Sequence, residues 1–576
     1  MFLRNGIINF MSTDYDFICF DTEDDSKELM EAGKSGFDKR VTQIAAITAP
    51  GEKYYNKGDV PKFLEWLRRR KEKFIYSLNI QYDLGNLFGN EIDKLDVVMV
   101  GGRTIRATWG NKVFVDVFNI WPMSVKKLGK AFGLEKLDTE NMATDKEYVF
   151  RDVEIIRQAM LFAWKFVDSL GLKYLPATLG GLCIKVWQHW GGENVHDSSE
   201  LSREAYYGGR VELFKSCDDT GEIAWTDINS LYPFVMQQRF PAMLEDMGTQ
   251  LTEYGIATVT MSQPKTSIVT LPYRNAKERI LYPWGKFKGT WTVAEIKEAE
   301  ANGARIEKVW QVMGCHDYII PYSTFVNRLY NLRLESKSEA EKLFYKLLMN
   351  NLYGRLGTSG TIGRSVWQNE RNKYDGVPYG DKVLVNYNMP LSEETNWSHA
   401  AYVTAYGRIE LLKYMRTIGA TNLIYTDTDS TIFDCPGLSR SRKPLPFATG
   451  NKLGEMKLEQ RCSVCGQKFV GEDCKAHDGQ PLDWWTGCET YAPKLYKANN
   501  VYKAKGVPVK HAEKFIKTGH AEFDLPFKMR EAIRFFDRKN SRKLSVWRNV
   551  QKFRRESYDR KKLTDNRFFP CKVHAV

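Results

Sequence analysis

Two short acidic motifs, roughly 200 residues apart, constrain the fold of this chain most. They are Asp227-Ile-Asn-Ser-Leu-Tyr-Pro233 and Tyr425-Thr-Asp-Thr-Asp-Ser430, and each places carboxylates at the end of a short apolar run. Apolar residues on both sides of Thr426–Asp429 predict a strand, a tight turn and a second strand. If both motifs meet in one sheet, their aspartates can hold two divalent cations, the arrangement used for phosphoryl transfer.

A second set of acids lies far upstream and consists of Asp21, Glu23, Asp83 and Asp152. Residues i and i+2 of a strand share a face, so Asp21 and Glu23 should point the same way from a strand predicted at 15–20. Residues i and i+4 share a face of a helix, and this spacing relates Asn79 to Asp83 and Tyr148 to Asp152. Four converging carboxylates would repel one another unless Mg²⁺ or Mn²⁺ neutralised them. We therefore expect a second two-metal site, with Tyr148 orienting a water; the alternative is an ordinary surface Asp-x-Glu.

Length and composition restrict the class of protein. A chain of 576 residues predicts two to four domains. The sequence has no apolar run near the ~20 residues of a membrane span. We therefore expect no membrane partner and a cytoplasmic location. The ten cysteines are then thiols or metal ligands rather than a disulfide framework.

The net charge of +13 favours a polyanionic partner. Between residues 528 and 562 there are fourteen Lys/Arg against four Asp/Glu. Trp547, Phe553 and Tyr558 are interleaved with these cations, a composition typical of a groove that binds phosphates and stacks on bases. A solvated basic helix is the competing interpretation.

The order of the motifs resembles that of family B DNA polymerases. Phe20-Asp-Thr-Glu23, Asn79-Ile-Gln-Tyr-Asp83 and Tyr148-Val-Phe-Arg-Asp152 are similar to the three exonuclease motifs of that family. The resemblance implies a 3′–5′ proofreading exonuclease whose metal ligands are Asp21, Glu23, Asp83 and Asp152. Lys136 is similar to the auxiliary lysine of that site.

The polymerase motifs follow in the family's order. The segments at 227–233 and 425–430 are similar to motifs A and C, Lys346-Leu-Leu-Met-Asn-Asn-Leu-Tyr-Gly354 is similar to motif B, and Lys494-Leu-Tyr496 to the K-x-Y motif. Asp227 and Asp429 would hold two Mg²⁺ or Mn²⁺ ions, with Asp427 assisting. Lys346, Asn350 and Tyr353 recur at helical spacing and form one polar stripe on the predicted helix. The alternative is a helix whose polar face is accidental.

By resemblance, further residues contact the incoming dNTP or the DNA. Lys337 and Arg333 would grip triphosphate, and Tyr232 would exclude a 2′-hydroxyl. Ser230 and Leu231 complete the nucleotide set. The resemblance implies DNA contacts at Tyr206, Gly208, Gly209, Asn79, Thr404, Arg408, Lys494, Tyr496 and Lys136. The competing interpretation is that these residues belong to ordinary loops or helix caps.

Two insertions favour one branch of the family. Only 20 residues precede Asp21, and the spacing of motifs A, B and C leaves room for insertions between A and B and at 357–398. This plan resembles the protein-primed replicases of bacteriophages and linear plasmids, in which the first insertion docks a terminal priming protein and the second gives processivity and strand displacement.

A cysteine-rich island lies at 461–488. Its spacing, Cys462-x2-Cys465-x8-Cys474-x2-His477 with Cys488 as an alternative ligand, could form a closed structural Zn²⁺ site. The alternative is a set of reduced cysteines in a loop.

Together these features predict an α/β and α+β multidomain fold with a ribonuclease H-like exonuclease domain before a right-hand polymerase. The expected domains are 1–185, exonuclease; 186–300, linker and palm with the start of the priming-type insertion; 301–356, fingers; 357–398, insertion; 399–500, palm; and 501–576, basic thumb. Helices are predicted from Tyr148 to Leu170, from Leu329 to Tyr353 and from Ala400 to Met415.

The predicted function is DNA-directed DNA polymerase with a proofreading exonuclease, acting as a monomer on primer-template DNA and dNTPs, with single-stranded DNA in the exonuclease site. The alternatives are a family B polymerase that uses ordinary primers or none, and a nuclease or DNA-binding protein with a degenerate polymerase half.

Overall fold

The computed structural model describes residues 15–25, 40–100, 103–138, 145–193, 195–215, 221–367, 376–379, 382–388, 391–436, 445–461, 468–469, 485–498, 501–526, 547–553, 561–564 and 567–575. Predictions for Cys462, Cys465, Cys474, His477 and most of the basic segment 528–562 lie outside these residues.

The N-terminal part is an α/β unit. Its elements are β1 (Phe17–Asp24), β2 (Val41–Thr48), β3 (Lys53–Asn56), α1 (Val60–Arg69), β4 (Phe74–Ser77), α2 (Ile80–Phe88), β5 (Asp96–Val100), β6 (Arg103–Trp109), β7 (Lys112–Asp116), α3 (Val125–Phe132) and α4 (Lys146–Ser169). Strands β1, β4 and β7 pair in parallel, and β2 joins β1 antiparallel. The predicted α/β character and the helix near 148–170 are confirmed.

The alternation of side chains along β1 decides where its acids point. Ile18 and Phe20 pack into a core with α1 and α2, whereas Phe17 and Cys19 pack into the core that contains α4. Since side chains alternate along a strand, Asp21 and Glu23 continue the face towards α4, and Thr22 continues the face towards α2. Burial on both faces therefore fixes the direction of each acid.

A second sheet, entirely antiparallel, carries both polymerase-like motifs. The chain reaches it through α5 (Leu179–His189) and α6 (Glu200–Ala205), and then forms β8 (Val211–Leu213), β9 (Glu222–Ile228) and α7 (Leu231–Val235). Asp227 is the penultimate residue of β9, and β9 pairs with strands that lie roughly 200 residues later in the chain. The expected antiparallel sheet that carries Asp227 is confirmed.

The segment between motifs A and B forms a separate sheet. Its elements are β10 (Phe240–Pro241), β11 (Glu245–Asp246), β12 (Tyr254–Gln263), β13 (Tyr273–Arg274), β14 (Ile280–Leu281), β15 (Trp284–Thr292), α8 (Val293–Ala301), β16 (Arg305–Cys315) and β17 (Tyr318–Ile319). One face of β12, β15 and β16 is apolar and packs on α8. The predicted fingers segment 301–356 thus begins with a strand of this sheet.

Two helices follow where one was predicted from Leu329 to Tyr353. Helix α9 (Ser323–Glu335) ends before Ser336, and α10 (Glu339–Leu356) begins after Ser338. The Ser336 hydroxyl donates to the Leu332 carbonyl at 2.6 Å, and Ser336 itself is extended. Serine side chains compete with helical backbone hydrogen bonds, which explains a break without Gly or Pro.

The next segment extends the N-terminal sheet. Strands β18 (Thr361–Trp367), β19 (Gly376–Tyr379) and β20 (Lys382–Asn388) form antiparallel pairs, and β18 pairs with β5 through Gly363–Met99 and Arg364–Val98. The predicted insertion at 357–398 therefore joins the predicted exonuclease unit. Among the described residues this gives a sheet of ten strands.

The second half of the antiparallel sheet comes after helix α11 (Trp397–Ile418). Its strands are β21 (Leu423–Asp427), β22 (Ser430–Asp434), β23 (Met456–Arg461), β24 (Lys468–Phe469) and β25 (Trp485–Thr486). Strand β22 lies between β21 and β9, and β23 lies on the other side of β9. The predicted strand–turn–strand around Thr426–Asp429 is confirmed.

The C-terminal part consists mainly of hairpins. Its elements are β26 (Cys488–Ala492), β27 (Leu495–Ala498), β28 (Val501–Ala504), α12 (Val509–Thr518), β29 (His520–Pro526), β30 (Trp547–Phe553), β31 (Lys561–Thr564), β32 (Arg567–Pro570) and β33 (Lys572–Ala575). Strand β33 pairs in parallel with β15. The segment predicted as thumb, 501–576, thus ends in the sheet of the first insertion.

None of the helices in the described ranges is long and apolar enough to cross a membrane.

A close contact fixes residues 206–209, the linker before β8, against the turn between β21 and β22. A Cβ added at Gly209 would lie 2.7 Å from Thr428 Cγ2 and 2.9 Å from the Tyr232 hydroxyl, whereas one added at Gly208 would meet nothing within 4 Å. The linker can approach this turn only because Gly209 has no side chain.

We predict that Gly209→Ala lowers the free energy of unfolding by about 1–3 kcal/mol, since an added methyl must displace packed side chains. Gly208→Ala is the matched control and should change stability by no more than ~0.5 kcal/mol. Denaturant unfolding followed by tryptophan fluorescence measures both. Equal stability of the two variants would contradict the contact.

Candidate active sites

Three upstream carboxylates converge at the end of β1. The side-chain oxygens of Asp21, Glu23 and Asp152 lie within 4.8 Å of one another. Asp152 comes from α4, which begins where the Asp145 side chain accepts hydrogen bonds from the Glu147 and Tyr148 amides at 2.9 and 3.1 Å. Asp152 follows the cap residue by about two helical turns and faces β1.

The electrostatics of this cluster suit a divalent cation. Burial, and then repulsion from neighbouring acids, raises the pKa of Asp21 well above its usual value and that of Glu23 to about 8. Burial also raises the pKa of Asp152, although Lys136 opposes the shift. Asp152 Oδ1 is buried and has no hydrogen-bond partner in the described part of the chain. An anionic cluster with an unsatisfied oxygen fits a Mg²⁺ or Mn²⁺ ion.

Asp83 does not join the three converging oxygens. Its carboxylate accepts hydrogen bonds from the Thr22 amide at 3.1 Å, the Thr22 hydroxyl at 2.7 Å and the Ser77 hydroxyl at 2.5 Å. Burial raises its pKa to about 7 in spite of these donors. The structure therefore gives Asp83 supporting contacts to β1 and β4, and its predicted role as a metal ligand stays a prediction.

The other upstream residues surround the cluster. Lys136 forms an ion pair with Asp152, and its ammonium lies 4.4 Å from the centre of the Tyr148 ring. Burial opposes charging of Lys136, but Asp152 outweighs it and raises the pKa of Lys136 to about 12. Asn79 is exposed and has a φ of +67°, and its amide donates to Asp116 at 2.9 Å.

The two downstream aspartates meet where the interior strands β9 and β22 of the antiparallel sheet end and begin. Asp227 on β9 is paired with Ser430 on β22, and the Ile228 amide donates to the Asp429 carbonyl at 2.7 Å. Thr428 takes a φ of +66°, so the chain reverses within two residues. This register brings Asp227 and Asp429 together, as the sequence predicted, and both are partly exposed.

Asp427 is held by another group. Lys494 Nζ donates to both Asp427 carboxylate oxygens at 2.8 and 2.6 Å, and the Tyr425 hydroxyl donates at 3.0 Å. The Lys494 amide also donates to the Tyr425 hydroxyl at 3.0 Å. Lys494 thus neutralises Asp427 and links the hairpin of β26 and β27 to the turn. Tyr496 is 6% exposed and packs against Tyr425, so its ring cannot reach DNA directly.

Helix α10 presents its predicted polar stripe towards the aspartates. Partial burial and the neighbouring Arg333 lower the pKa of Lys346, whereas Asp227 and Asp429 act on it in the opposite direction. Lys346 therefore lies within electrostatic range of both acids. Asn350 donates to the Lys346 carbonyl at 2.8 Å, and Lys337 is exposed in the turn between α9 and α10.

A pair of tyrosines closes one side of the cleft. The Tyr232 and Tyr353 ring centres are 4.5 Å apart, and burial raises the pKa of Tyr353 to about 12. Gly407 of α11 backs Tyr232, since a Cβ there would lie 3.1 Å from the Tyr232 ring. Ser230 before α7 has a φ of +50°, and Leu231 is 2% exposed, so only the backbone of Leu231 could contact a nucleotide.

Two predicted DNA contacts have internal partners instead. Thr404 is 2% exposed and donates to the Ala400 and Ala401 carbonyls. Arg408 is 3% exposed and forms two hydrogen bonds to Glu295, each at 2.8 Å. Arg408 also donates to the carbonyls of the linker residues Tyr207 and Gly208 at 2.9 and 2.7 Å. The arginine therefore positions the linker and does not touch DNA, because burial leaves it no free face.

Two further predicted residues, Tyr206 and Cys488, are at least partly buried. Tyr206 is partly buried, and its ring would lie 2.6 Å from a Cβ added at Gly357. Cys488 is 1% exposed in an apolar core with Trp225 and Ile424, which makes it a packing residue.

Sequence inspection missed two residues beside the motif A and motif C turns. Lys457 on β23 is the strand partner of Asp227, and its positive charge helps to lower the pKa of Lys346. Arg210 is 1% exposed, pairs with Glu212, and offers its carbonyl to the Thr428 amide at 2.7 Å. Neither belongs to a motif, and only the strand register reveals them.

Three comparisons with known proteins each find similarity to DNA polymerases. Residues 195–377 match the family model described as DNA polymerase type B, organellar and viral. A probable DNA polymerase of Podospora anserina is 27% identical over 360 residues, which cover 53% of this chain and 28% of that protein. A probable DNA polymerase of Ascobolus immersus is 29% identical over 285 residues, 45% of this chain and 23% of that protein. The chain spans about a quarter of the length of these curated relatives.

Solved structures share the fold over almost the whole chain. Phi29 DNA polymerase complexed with primer-template DNA has a TM-score of 0.66 at 15% identity, covering 93% of this chain and 99% of that one. Its complex with primer-template DNA and incoming nucleotide has a TM-score of 0.64 at 16% identity, covering 94% and 99%. The predicted arrangement of exonuclease domain and right-hand polymerase is confirmed at the level of the fold. Residues 195–377 are thus similar to DNA polymerases of type B, and the chain shares the fold of these solved structures.

Proposed function

We propose that the chain is a DNA-directed DNA polymerase that extends a 3′-hydroxyl and also removes nucleotides from 3′ ends. The observation that carries the proposal is the meeting of Asp227, on β9, with Asp429, in the turn just before the neighbouring strand β22, within electrostatic range of Lys346. Carboxylates opposite a cation provide the two charges that phosphoryl transfer to a nucleoside triphosphate requires.

In the polymerase cleft, Asp227 and Asp429 would hold Mg²⁺ or Mn²⁺. The metals would supply activation of the primer hydroxyl and neutralisation of the pyrophosphate leaving group. Lys346 would bind the triphosphate through its compact ammonium charge. Arg333 would bind it through the several N–H donors of its planar guanidinium. Tyr353 would stack beneath the new base pair, and Tyr232, fixed by Gly407 and Gly209, would occupy the space of a 2′-hydroxyl.

In the upstream site, Asp21, Glu23 and Asp152 would hold the metals for hydrolysis of a 3′-terminal phosphodiester. Lys136 would neutralise Asp152 when no ion is bound. Tyr148 lies beside Lys136 and would orient the attacking water. Single-stranded DNA is the substrate of this site in the proposal.

Asp429→Asn should reduce primer extension by at least ~10²-fold, because it removes a negative charge that would hold the metal ions stabilising the transition state. Affinity for primer-template DNA should be unchanged. Asp434→Asn is the control: it lies on the same hairpin but pairs with Lys215 at 2.8 Å, away from Asp227. Extension of a labelled primer and fluorescence anisotropy measure the two quantities. Undiminished extension by Asp429→Asn would refute the polymerase assignment and favour the nuclease or DNA-binding alternative.

Asp21→Ala combined with Glu23→Ala should abolish shortening of a labelled primer in the absence of dNTPs. Extension with dNTPs should persist, since the altered residues lie on a different sheet from Asp227. The control is Asp16→Ala, an exposed acid just before β1. Persistent shortening by the double variant would show that another group hydrolyses DNA.

We further infer that the two insertions serve protein priming and strand displacement. The first insertion contributes the sheet of β11, β12, β15 and β16, and the second the strands β18–β20. Their positions between motifs A and B and between B and C support this inference. A priming partner would have to supply a hydroxyl in place of a primer end.

We also propose a structural Zn²⁺ site formed by Cys462, Cys465, Cys474 and His477, on the basis of ligand type and spacing. Purified protein should contain about one zinc per chain by elemental analysis, and Cys462→Ser with Cys465→Ser should lose it. Cys488→Ser is the control, because Cys488 is buried among apolar side chains. Equal zinc content in all three proteins, including none, would refute the site.

A further inference from the structure

One face of the first-insertion sheet carries a regular set of cations. Across β15, β12 and β16, the register aligns Lys286, Ser262 and Arg305 in one row and Lys288, Thr260 and Lys308 in the next. Directly opposed residues in an antiparallel sheet point to the same side. The opposite face is the apolar one that packs on α8. The cationic face is therefore turned away from the core.

These cations have no acidic partners in the described part of the chain. Among the described residues, none of Lys286, Lys288, Arg305 and Lys308 forms an ion pair with a carboxylate. Lys288, Arg305 and Lys308 are exposed and Lys286 is partly exposed. Adjacent rows are about 7 Å apart and adjacent strands about 5 Å apart, so four charges lie within a small area. Unpaired like charges at this density attract a polyanion.

A tryptophan lies between the two central lysines. Trp310 is 40% exposed, and its indole N–H donates to the Thr260 hydroxyl at 2.9 Å. The ammonium groups of Lys288 and Lys308 lie 4.2 and 3.5 Å from the centre of its ring. Trp310 is the extra residue of a β-bulge, since Val259 pairs with Val309 and Thr258 with Gln311. A bulge commonly re-aims a side chain, and here it directs an indole onto the polar face.

The same chemistry recurs at the edge of this face. Trp284 on β15 is opposite Lys572 on β33, whose ammonium lies 5.2 Å from the ring centre. Lys265 approaches the same ring at 5.6 Å. Since alternate residues of β15 share a face, Trp284 lies on the side of Lys286 and Lys288. Two aromatic rings and six cations therefore lie on or beside one surface.

The composition favours nucleic acid over protein as the occupant. Protein interfaces are depleted in lysine and have an apolar centre, whereas this face combines lysines and hydroxyl groups with tryptophan. Exposed aromatic rings on a sheet, bordered by cations, are how single strands are bound through stacking and phosphate contacts. A duplex would leave Trp310 without a base to stack on.

A bordering groove limits the path of such a strand. An open groove of about 700 Å³ lies between α6 and the sheet, and Trp310 and Lys288 line one side of it. Glu200 and Glu204 of α6 line the other side, and Glu204 accepts a hydrogen bond from Thr290 at 2.9 Å. Their charge repels phosphates, so a strand would follow the rows of cations on the side away from α6.

We propose that this face is a second nucleic-acid site, separate from the two carboxylate centres, which binds single-stranded DNA through a base stacked on Trp310 and phosphates held by Lys286, Lys288, Arg305 and Lys308. The site does not depend on the proposed polymerase activity, because it contains neither Asp227 nor Asp429.

Photochemical crosslinking tests the site directly. The full chain is irradiated in EDTA with an oligo(dT) 20-mer that carries 5-iododeoxyuridine, and adducts are mapped by mass spectrometry. We expect an adduct at Trp310 within residues 305–315, whose yield saturates with oligonucleotide concentration. Lys288→Gln combined with Lys308→Gln should raise the half-saturating concentration roughly tenfold and reduce the slope of log K against log salt by about 1.4, at ~0.7 for each lost phosphate contact.

The matched control is Lys57→Gln combined with Lys62→Gln, two exposed lysines at the N-terminal unit, which should leave the Trp310 adduct unchanged. Trp310→Phe should still bind, since phenylalanine can stack. The proposal is overturned if no adduct forms in 305–315, or if both lysine pairs have the same effect. An acidic protein as the true occupant would give the first of these results. Failure of the polymerase assignment would instead appear as wild-type protein that does not extend a primer.

Discussion

Carboxylates gathered at one point repel one another, and both centres of this protein depend on a scaffold that holds them together. At the upstream centre, apolar residues on alternate sides of β1 fix Asp21 and Glu23 towards α4, where Asp152 meets them. The cost appears in the raised pKa values of all three acids. At the downstream centre, the pairing of β9 with β22 brings Asp227 to Asp429. Divalent cations would relieve the repulsion in both places.

A buried ion pair connects the downstream centre to the rest of the chain. Arg408 of α11 binds Glu295 of α8 and the carbonyls of the linker before β8. Loss of one partner from such a pair typically costs ~3–5 kcal/mol, because the other charge stays buried. The pair therefore ties the first insertion, the linker and the helix behind Tyr232 into one unit. Lys494 has a similar role at the surface, since its contact with Asp427 connects the C-terminal hairpins to the turn of motif C.

Local patterns predicted the elements that carry the chemistry, and tertiary contacts decided the rest. The strand, turn and strand around Asp427 and the helix that bears Asp152 follow from apolar periodicity and are present. The break at Ser336–Ser338 includes a hydrogen bond from the Ser336 hydroxyl to the Leu332 carbonyl, and apolar periodicity does not detect such a contact. The pairing of β18 with β5 joins segments far apart in sequence. Arg408 was predicted as a DNA contact by resemblance, yet its burial with Glu295 makes it internal. Trp310 belongs to no motif, and its position depends on a bulge.

The most direct test of two active centres in one chain is a primer assay with Mg²⁺ on a template that carries a downstream blocking strand, with and without dNTPs. The two carboxylate centres predict extension when dNTPs are present and shortening of the same primer when they are absent. The insertion paired with β5 further predicts that extension continues through the blocking strand. Shortening without extension, at saturating dNTPs and with an ordinary primer end, would contradict a working polymerase centre at Asp227 and Asp429.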